Sequence, residues 1–118
     1  MRATEVIANL HVADIESARS FYTEYLGLET ESFNLGWVAH FRSSDDRAWV
    51  QLVTRDATSP EDSVISVRVG DDVDEAYVEA QRRGYEIVHP LTHEPWGLRR
   101  FFVRDPHGVV VNVAGHAD

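Results

Sequence analysis

The stretch EPWGLRRFFVRDPHGVVVNVA, residues 94–114, decides the fold of this chain. It predicts two short strands, Arg100–Arg104 and Val109–Val113, because both segments are rich in aromatic and β-branched residues. The segment between them, Asp105-Pro106-His107-Gly108, is typical of a type I turn, in which Pro fixes φ at the second position. Trp96-Gly97 lies just before the first strand, where the large Trp96 ring can cover the space that the sheet encloses.

Composition limits the class of protein. The 118 residues, 43% of them hydrophobic, suffice for one domain with a core. No apolar run approaches the ~20 residues of a membrane helix, and the first residues do not resemble a signal peptide, so a cytoplasmic protein is expected. The absence of cysteine excludes disulfides, thiolate catalysis and cysteine-ligated zinc. The net charge of −9 disfavours nucleic acid as a partner and favours cations.

The first half of the chain predicts the order strand–helix–strand–strand–strand. Its helix is the clearest element, because Asp14 is suited to cap it, apolar residues recur at helical spacing, and Gly27 is suited to end it. The predicted elements are a strand over Thr4–Val12, a helix over 14–26, and strands over Leu28–Phe33, Gly36–Arg42 and Arg47–Thr54.

The pattern restarts after the polar segment RDATSPED, residues 55–62, which is interpreted as a linker. Asp71 and Asp72 are expected to cap a second helix. Residues 7–18 align without a gap with residues 65–76, which indicates two copies of one unit, with one residue lost later in the second helix. The predicted elements are a strand over Ser63–Val69, a helix over Val73–Arg83, a strand over Tyr85–His89 ending before Pro90, a loop to Trp96, and the hairpin.

Two motifs resemble the vicinal oxygen chelate superfamily: VADIESARSFYTEYLGLE (12–29) and RDPHGVVVNV (104–113). That superfamily contains glyoxalase I, extradiol dioxygenases, fosfomycin-resistance enzymes and bleomycin-resistance proteins. The resemblance implies one α+β domain over residues 1–118, built from two tandem βαβββ modules (1–54 and 63–118). Their curled mixed sheets are expected to form a cup that is completed within a homodimer.

The closing motif is most similar to the bleomycin-resistance branch. That branch shows the ending W-G-x-R-x-F-x-V-R-D-P-x-G, and residues 96–108 of this chain match it. Members of the branch bind a cationic, aromatic antibiotic without changing it chemically. The resemblance therefore implies antibiotic binding as a candidate function.

The enzymes of the superfamily hold a divalent metal through His and Glu ligands. The resemblance locates the corresponding positions at Ile7, Gln51, Ile65 (Ser63 if the register shifts by two) and Asn112. Ile has no lone pair, and neutral amides are weak ligands beside carboxylate or imidazole. We therefore expect no bound metal, no cofactor and no catalytic residues.

The pocket is expected to be lined by aromatic and amide side chains instead. Trp96 stands in a Pro-Trp-Gly loop, where a role in the core is less expected than for the other rings, and aromatic faces attract planar cations. For each of the other rings, plain core packing is an open alternative. The predicted ligand-binding residues are Phe33, Trp37, Trp49, Trp96, Phe101, Gln51, Asn112 and His11.

These observations predict a non-catalytic homodimer that binds a planar, cationic small molecule, and sequestration of an antibiotic is the most concrete form of that function. One alternative is a metal-dependent lyase, isomerase or dioxygenase whose ligands are displaced, for instance to His11 or His40. Another is a scaffold with no small ligand that acts through its dimer surface. Metal content distinguishes the first alternative, and a ligand-induced rise in melting temperature argues against the second.

Overall fold

The computed structural model describes residues 1–116 and confirms the α+β class. None of its helices is long and apolar enough to cross a membrane. The elements are β1 (Glu5–His11), α1 (Ile15–Ser20) continued by a π-helical turn (Phe21–Tyr25), β2 (Thr30–Asn34), β3 (Val38–Arg42), β4 (Trp49–Val53), β5 (Ile65–Arg68), a 3-10 turn (Gly70–Asp72), α2 (Val73–Arg82), β6 (Ile87–His93), β7 (Leu98–Arg104) and β8 (Val110–His116).

The chain divides into two compact units. The N-unit is Ile7–Thr58, and the C-unit comprises Met1–Val6 together with the chain from Ser59 onward. The first six residues thus belong to the C-unit, where the Thr4 amide donates to the Arg68 carbonyl at 2.7 Å. Each unit contains the order strand–helix–strand–strand–strand.

In the N-unit, α1 and its π-helical turn cover one face of a four-stranded sheet in the order β2-β3-β4-β1. β1 runs parallel to β4, and the other pairs are antiparallel. The predicted cap is confirmed, because Asp14 Oδ2 accepts the Ser17 amide at 2.9 Å. The core between helix and sheet contains Ile15, Ala39, Phe41, Val50 and Leu52, with Tyr22 and Leu28 packed against it.

In the C-unit, α2 covers one face of a sheet in the order β5-β8-β7-β6, with β5 parallel to β8. The predicted cap of this helix is wrong, because Asp72 makes no side-chain capping bond. Its backbone (φ −90°, ψ 9°) lacks the extended conformation of a capping residue, which Asp14 has. The core contains Val69, Val73, Ala76, Ala80 and Phe101.

The turn between β7 and β8 is confirmed. The Gly108 amide donates to the Asp105 carbonyl at 3.0 Å, as a four-residue turn requires. Asp105 Oδ1 accepts the amides of Val109 (2.9 Å) and His107 (2.8 Å). These bonds, chiefly the one from Val109, hold the pKa of Asp105 below its ordinary value.

The strand preceding this hairpin differs from its prediction. β6 continues through Pro90 to His93 instead of ending at His89. It lies at the edge of its sheet, and its pairing with β7 shifts register on both sides of His89. Pro is tolerated at edges and bulges because no ladder hydrogen bond needs its missing N–H.

The structural correspondence between the two units includes a one-residue shift that the gapless alignment of residues 7–18 with 65–76 does not contain. The Val12 amide donates to the Val53 carbonyl, and the Val69 amide donates to the Ala114 carbonyl, so Val12 corresponds to Val69. The gapless alignment pairs Val12 with Gly70. The 3-10 turn of the C-unit takes up this one residue, and the π-helical turn of the N-unit contains one residue more than the matching turn of α2.

Candidate functional site

A line of side chains crosses the sheet face of the N-unit that α1 does not cover. Direct cross-strand partners project to the same face, and the ladder pairs Asn9 with Gln51, Gln51 with His40, and His40 with Phe33. We call these four residues the N-row. Core residues such as Phe41 alternate to the opposite, helix-covered face.

The C-unit contains the matching line. Its ladder pairs Ser66 with Asn112, Asn112 with Phe102, and Phe102 with His89, and we call these four residues the C-row. All four are buried. The C-row therefore occupies, strand for strand, the position of the N-row.

Each row begins with an amide hydrogen bond. Gln51 Nε2 donates to Asn9 Oδ1 at 2.6 Å, and Asn112 Nδ2 donates to Ser66 Oγ at 3.0 Å. Asn112 Oδ1 is buried and accepts no hydrogen bond from residues 1–116. A buried acceptor without a donor destabilises a protein by about 1–3 kcal/mol, so this oxygen is suited to receive an N–H or O–H from a ligand.

Each row ends with a His–Phe ring pair, in opposite orders. In the N-row His40 is next to the amide and Phe33 lies beyond it, with ring centroids 5.3 Å apart. In the C-row Phe102 is next to the amide and His89 lies beyond it, 5.6 Å away. Both rows thus combine amide, imidazole and aromatic groups, which bind small molecules by hydrogen bonds and stacking.

The C-row adds a buried ionic cluster that sequence analysis missed. Glu94 Oε2 accepts Arg100 Nε at 2.5 Å and lies 3.2 Å from His89 Nε2. The side chains of Glu94 and Arg100 are 1% and 4% exposed. The guanidinium carbon of Arg100 lies 4.9 Å from the Trp96 ring and 4.7 Å from the Phe102 ring.

A tight turn explains how Glu94 reaches this position. The Glu94 amide donates to the Leu98 carbonyl at 2.7 Å, and the Gly97 amide donates to the Glu94 carbonyl at 3.1 Å. Gly97 has φ +94°, which glycine adopts without strain. The turn joins β6 to β7, so it brings Glu94 close to Arg100 six residues later. The sequence signal that could have indicated this pair is an acidic residue before, and an Arg after, a Pro-Trp-Gly turn.

The structure brings together four of the predicted ligand-binding residues of the N-unit. Trp49, Gln51 and His11 alternate along β4 and β1 onto the face of the N-row, which includes Phe33. The Trp49 indole donates to Asp46 Oδ1 at 2.9 Å. The fifth, Trp37, precedes β3 and accepts the Thr54 amide on its carbonyl at 2.9 Å. Their roles in binding remain predictions.

In the C-unit Phe102 is the cross-strand partner of Asn112, and the Arg100 guanidinium lies between the Phe102 ring and the half-buried Trp96 ring. Phe101 lies on the opposite face instead, in the core beneath α2. The neighbouring Phe102 occupies the row, because successive residues of a strand alternate between faces. The expectation that Phe101 shares the face of Asn112 is therefore corrected.

The residues at the superfamily's metal positions do not fit a divalent ion. Ile7 is fully buried and offers no donor, while Gln51 and Asn112 offer amides. Ile65 lies on the helix-covered face, and Ser66 stands beside Asn112. Residues 1–116 contain no group of three His, Asp or Glu placed to hold a metal.

Comparisons with known proteins agree with the fold. The family model for the Glyoxalase/Bleomycin resistance protein/Dioxygenase superfamily matches residues 6–113. No curated protein matches at a significant level.

Solved structures with similar folds include a member of the same superfamily from Vibrio splendidus 12B01. It is 18% identical with a TM-score of 0.69, over 94% of this chain and 97% of that one. Methylmalonyl-CoA epimerase from Mycobacterium tuberculosis is 21% identical with a TM-score of 0.71, over 98% and 90%. The Mn(II)-bound glyoxalase from Novosphingobium aromaticivorans is 22% identical with a TM-score of 0.69, over 98% and 40%. These likenesses show the fold alone.

Proposed function

The chain belongs to the glyoxalase/bleomycin resistance protein/dioxygenase superfamily, and we propose that it binds a planar, cationic small molecule without a metal ion and without changing it chemically. The most concrete form of this function is sequestration of an antibiotic of the bleomycin type. The ligand contacts the face of the C-row.

One observation carries the proposal: Asn112, at a position where the superfamily's enzymes place a metal ligand, presents a buried amide oxygen without a donor. The amide nitrogen is already used by Ser66. A ligand N–H or O–H would complete the hydrogen bonding of the amide. Flat cations with N–H groups supply that donor.

Charge and aromatic groups favour the same class of ligand. The net charge of −9 attracts cations, and this attraction weakens as salt increases. Trp96 already holds one cation, the Arg100 guanidinium, against its ring. The half-buried ring retains accessible surface, on which a flat ligand can stack.

We propose the homodimer as part of this function. Val6 and Val64 are 56% and 55% exposed, although both are apolar. These valines lie on or beside β1 and β5, and we propose that these two strands lie near the dimer interface. Sedimentation at micromolar concentration is expected to show a dimer, and a stable monomer would contradict it.

The test is a calorimetric titration of metal-free bleomycin into the wild type and two Trp96 variants. We expect Trp96→Ala to bind about tenfold more weakly, because a stacking ring is lost, while Trp96→Phe binds nearly as well. Affinity should fall as salt rises. Circular dichroism checks that both variants are folded.

Equal affinity of the wild type and Trp96→Ala would refute a site for cationic aromatic compounds. An affinity that does not change with salt concentration would refute it as well. Binding that requires an added divalent metal would favour the alternative, a metal-dependent lyase, isomerase or dioxygenase. No binding at all, with an intact dimer, would favour the scaffold.

A further inference from the structure

A cavity of about 430 Å³ lies between α2 and the sheet of the C-unit, on the face opposite the C-row. Its walls include Ala76, Ala80, Phe101 and Val113. Cavities of this size hold small organic molecules, and mostly apolar walls with a few polar groups are typical of such sites.

The N-unit shows why the cavity exists. The Leu28 amide donates to the Tyr22 carbonyl at 2.9 Å, and the Tyr85 amide donates to the Ala80 carbonyl at 3.1 Å. Tyr22 therefore corresponds to Ala80. In the N-unit the Tyr22 side chain packs against the core between helix and sheet. In the C-unit the matching position has only a methyl group, and the space remains open.

The rim of the cavity is polar. Glu75, Glu79 and Arg83 contribute to it, with Tyr85 beside them. The Glu79 carboxylate is already paired with Arg82 and Arg83, and hydrogen bonds from these residues lower its pKa to about 2. Glu75 forms no ion pair with residues 1–116 and is exposed. One carboxylate at the rim is thus available to a ligand cation.

From this geometry we infer a second small-molecule site, separate from the face of the C-row, which takes an amphipathic molecule with a compact apolar body and one cationic group. The apolar body occupies the space beneath Ala80, and the cation lies against Glu75. This site does not depend on the proposed antibiotic binding, because it lies on the other face of the sheet and shares no residue with the C-row.

The probe for this site is 1-naphthylmethylammonium, with the neutral 1-naphthylmethanol as its matched analogue. We expect saturable binding of the ammonium probe below about 1 mM, one molecule per chain. The Ala80→Tyr variant, which restores the residue of the N-unit, should bind at least about tenfold more weakly because the ring fills the space. Val78→Tyr is the control, since Val78 lies on the same helix and is 63% exposed.

A separate variant tests whether the site prefers a cationic ligand. Glu75→Gln should weaken the ammonium probe by about two- to fivefold, as expected for a pairing at an exposed rim, and leave naphthylmethanol unchanged. An equal effect on both probes would refute the assigned cationic group.

If Ala80→Tyr does not fold, a measurement on the wild type still tests the site. Methyl resonances of Ala76, Ala80 and Val113 should shift on probe addition, and saturating metal-free bleomycin should not reverse the shifts. Unchanged resonances, or full binding to folded Ala80→Tyr, would overturn the site. Displacement by bleomycin would instead place the probe on the sheet face and likewise overturn it.

Discussion

The N-unit and the C-unit carry the same row of side chains on the sheet faces that their helices do not cover, and in the C-unit a buried ionic pair borders that row. Each row contains an amide hydrogen bond and a His–Phe ring pair. The difference lies one row away, where Arg100 of the C-unit corresponds to Val38 of the N-unit. The shared row follows from the fold, and the ionic pair is an addition of the C-unit.

The two matching positions have different chemical needs. The apolar side chain of Val38 packs in the sheet face and needs no polar or charged partner. An arginine at the matching position must be neutralised, and Glu94 meets that need. A buried ion pair is weak evidence for stability, because a hydrophobic pair of similar volume often stabilises as much. The Arg100 guanidinium, paired with Glu94, packs against the rings of Trp96 and Phe102 and thereby fixes their positions.

The largest effect is expected from breaking this ionic pair. Glu94→Gln removes the carboxylate that pairs with the buried Arg100 guanidinium, so the free energy of unfolding should fall by about 3–5 kcal/mol. Urea denaturation at pH 7 measures the change. The control is Glu79→Gln, which removes a carboxylate from exposed surface pairs and should lower the free energy of unfolding by no more than about 1 kcal/mol. Midpoints that agree between the two variants would mean that Glu94 does not neutralise a buried charge.

A smaller effect tests a feature that the two units share. Asp105 in the C-unit accepts backbone amides, chiefly that of Val109, in the turn between the last two strands. Asp45, in the same turn of the N-unit, accepts the Ser43 hydroxyl and, with a smaller effect, the Arg47 amide. These hydrogen bonds lower the pKa of each carboxyl below its ordinary 3.8. A lowered pKa stabilises the fold above the ordinary value, and this contribution disappears as the pH falls through the folded pKa.

Asp105→Asn and Asp45→Asn should therefore each reduce stability slightly at pH 7, and the difference from wild type should vanish in strong acid. Thermal unfolding between pH 7 and pH 2 measures it. A difference that stays constant over this range would show that the carboxylate charge does not matter in either turn.

The sequence was sufficient to predict those features that depend on local chemistry. The Asp14 cap and the Asp105–Gly108 turn were predicted because side chain and backbone needs are met within a few residues. Strand alternation places the amides Gln51 and Asn112 on the sheet faces away from the helices, and their expected role in lining a pocket stays a prediction.

Other features depend on tertiary context. The one-residue shift between the units lies in the 3-10 turn Gly70–Asp72 after β5, a local change of backbone geometry that a gapless alignment cannot represent. Phe101 and Phe102 are adjacent, so a one-residue uncertainty in register exchanges core and row. The Glu94–Arg100 pair arises only when the turn brings the two residues together, and β6 passes Pro90 because it is an edge strand.

The most direct test of metal-independent binding combines two measurements on one protein sample. Protein dialysed without chelator is first analysed for zinc, manganese, nickel and iron, and is then titrated with metal-free bleomycin with and without EDTA. We predict well under one equivalent of metal per chain, and one bleomycin bound per chain with the same affinity in both buffers. Stoichiometric metal, or affinity that EDTA abolishes, would contradict the account.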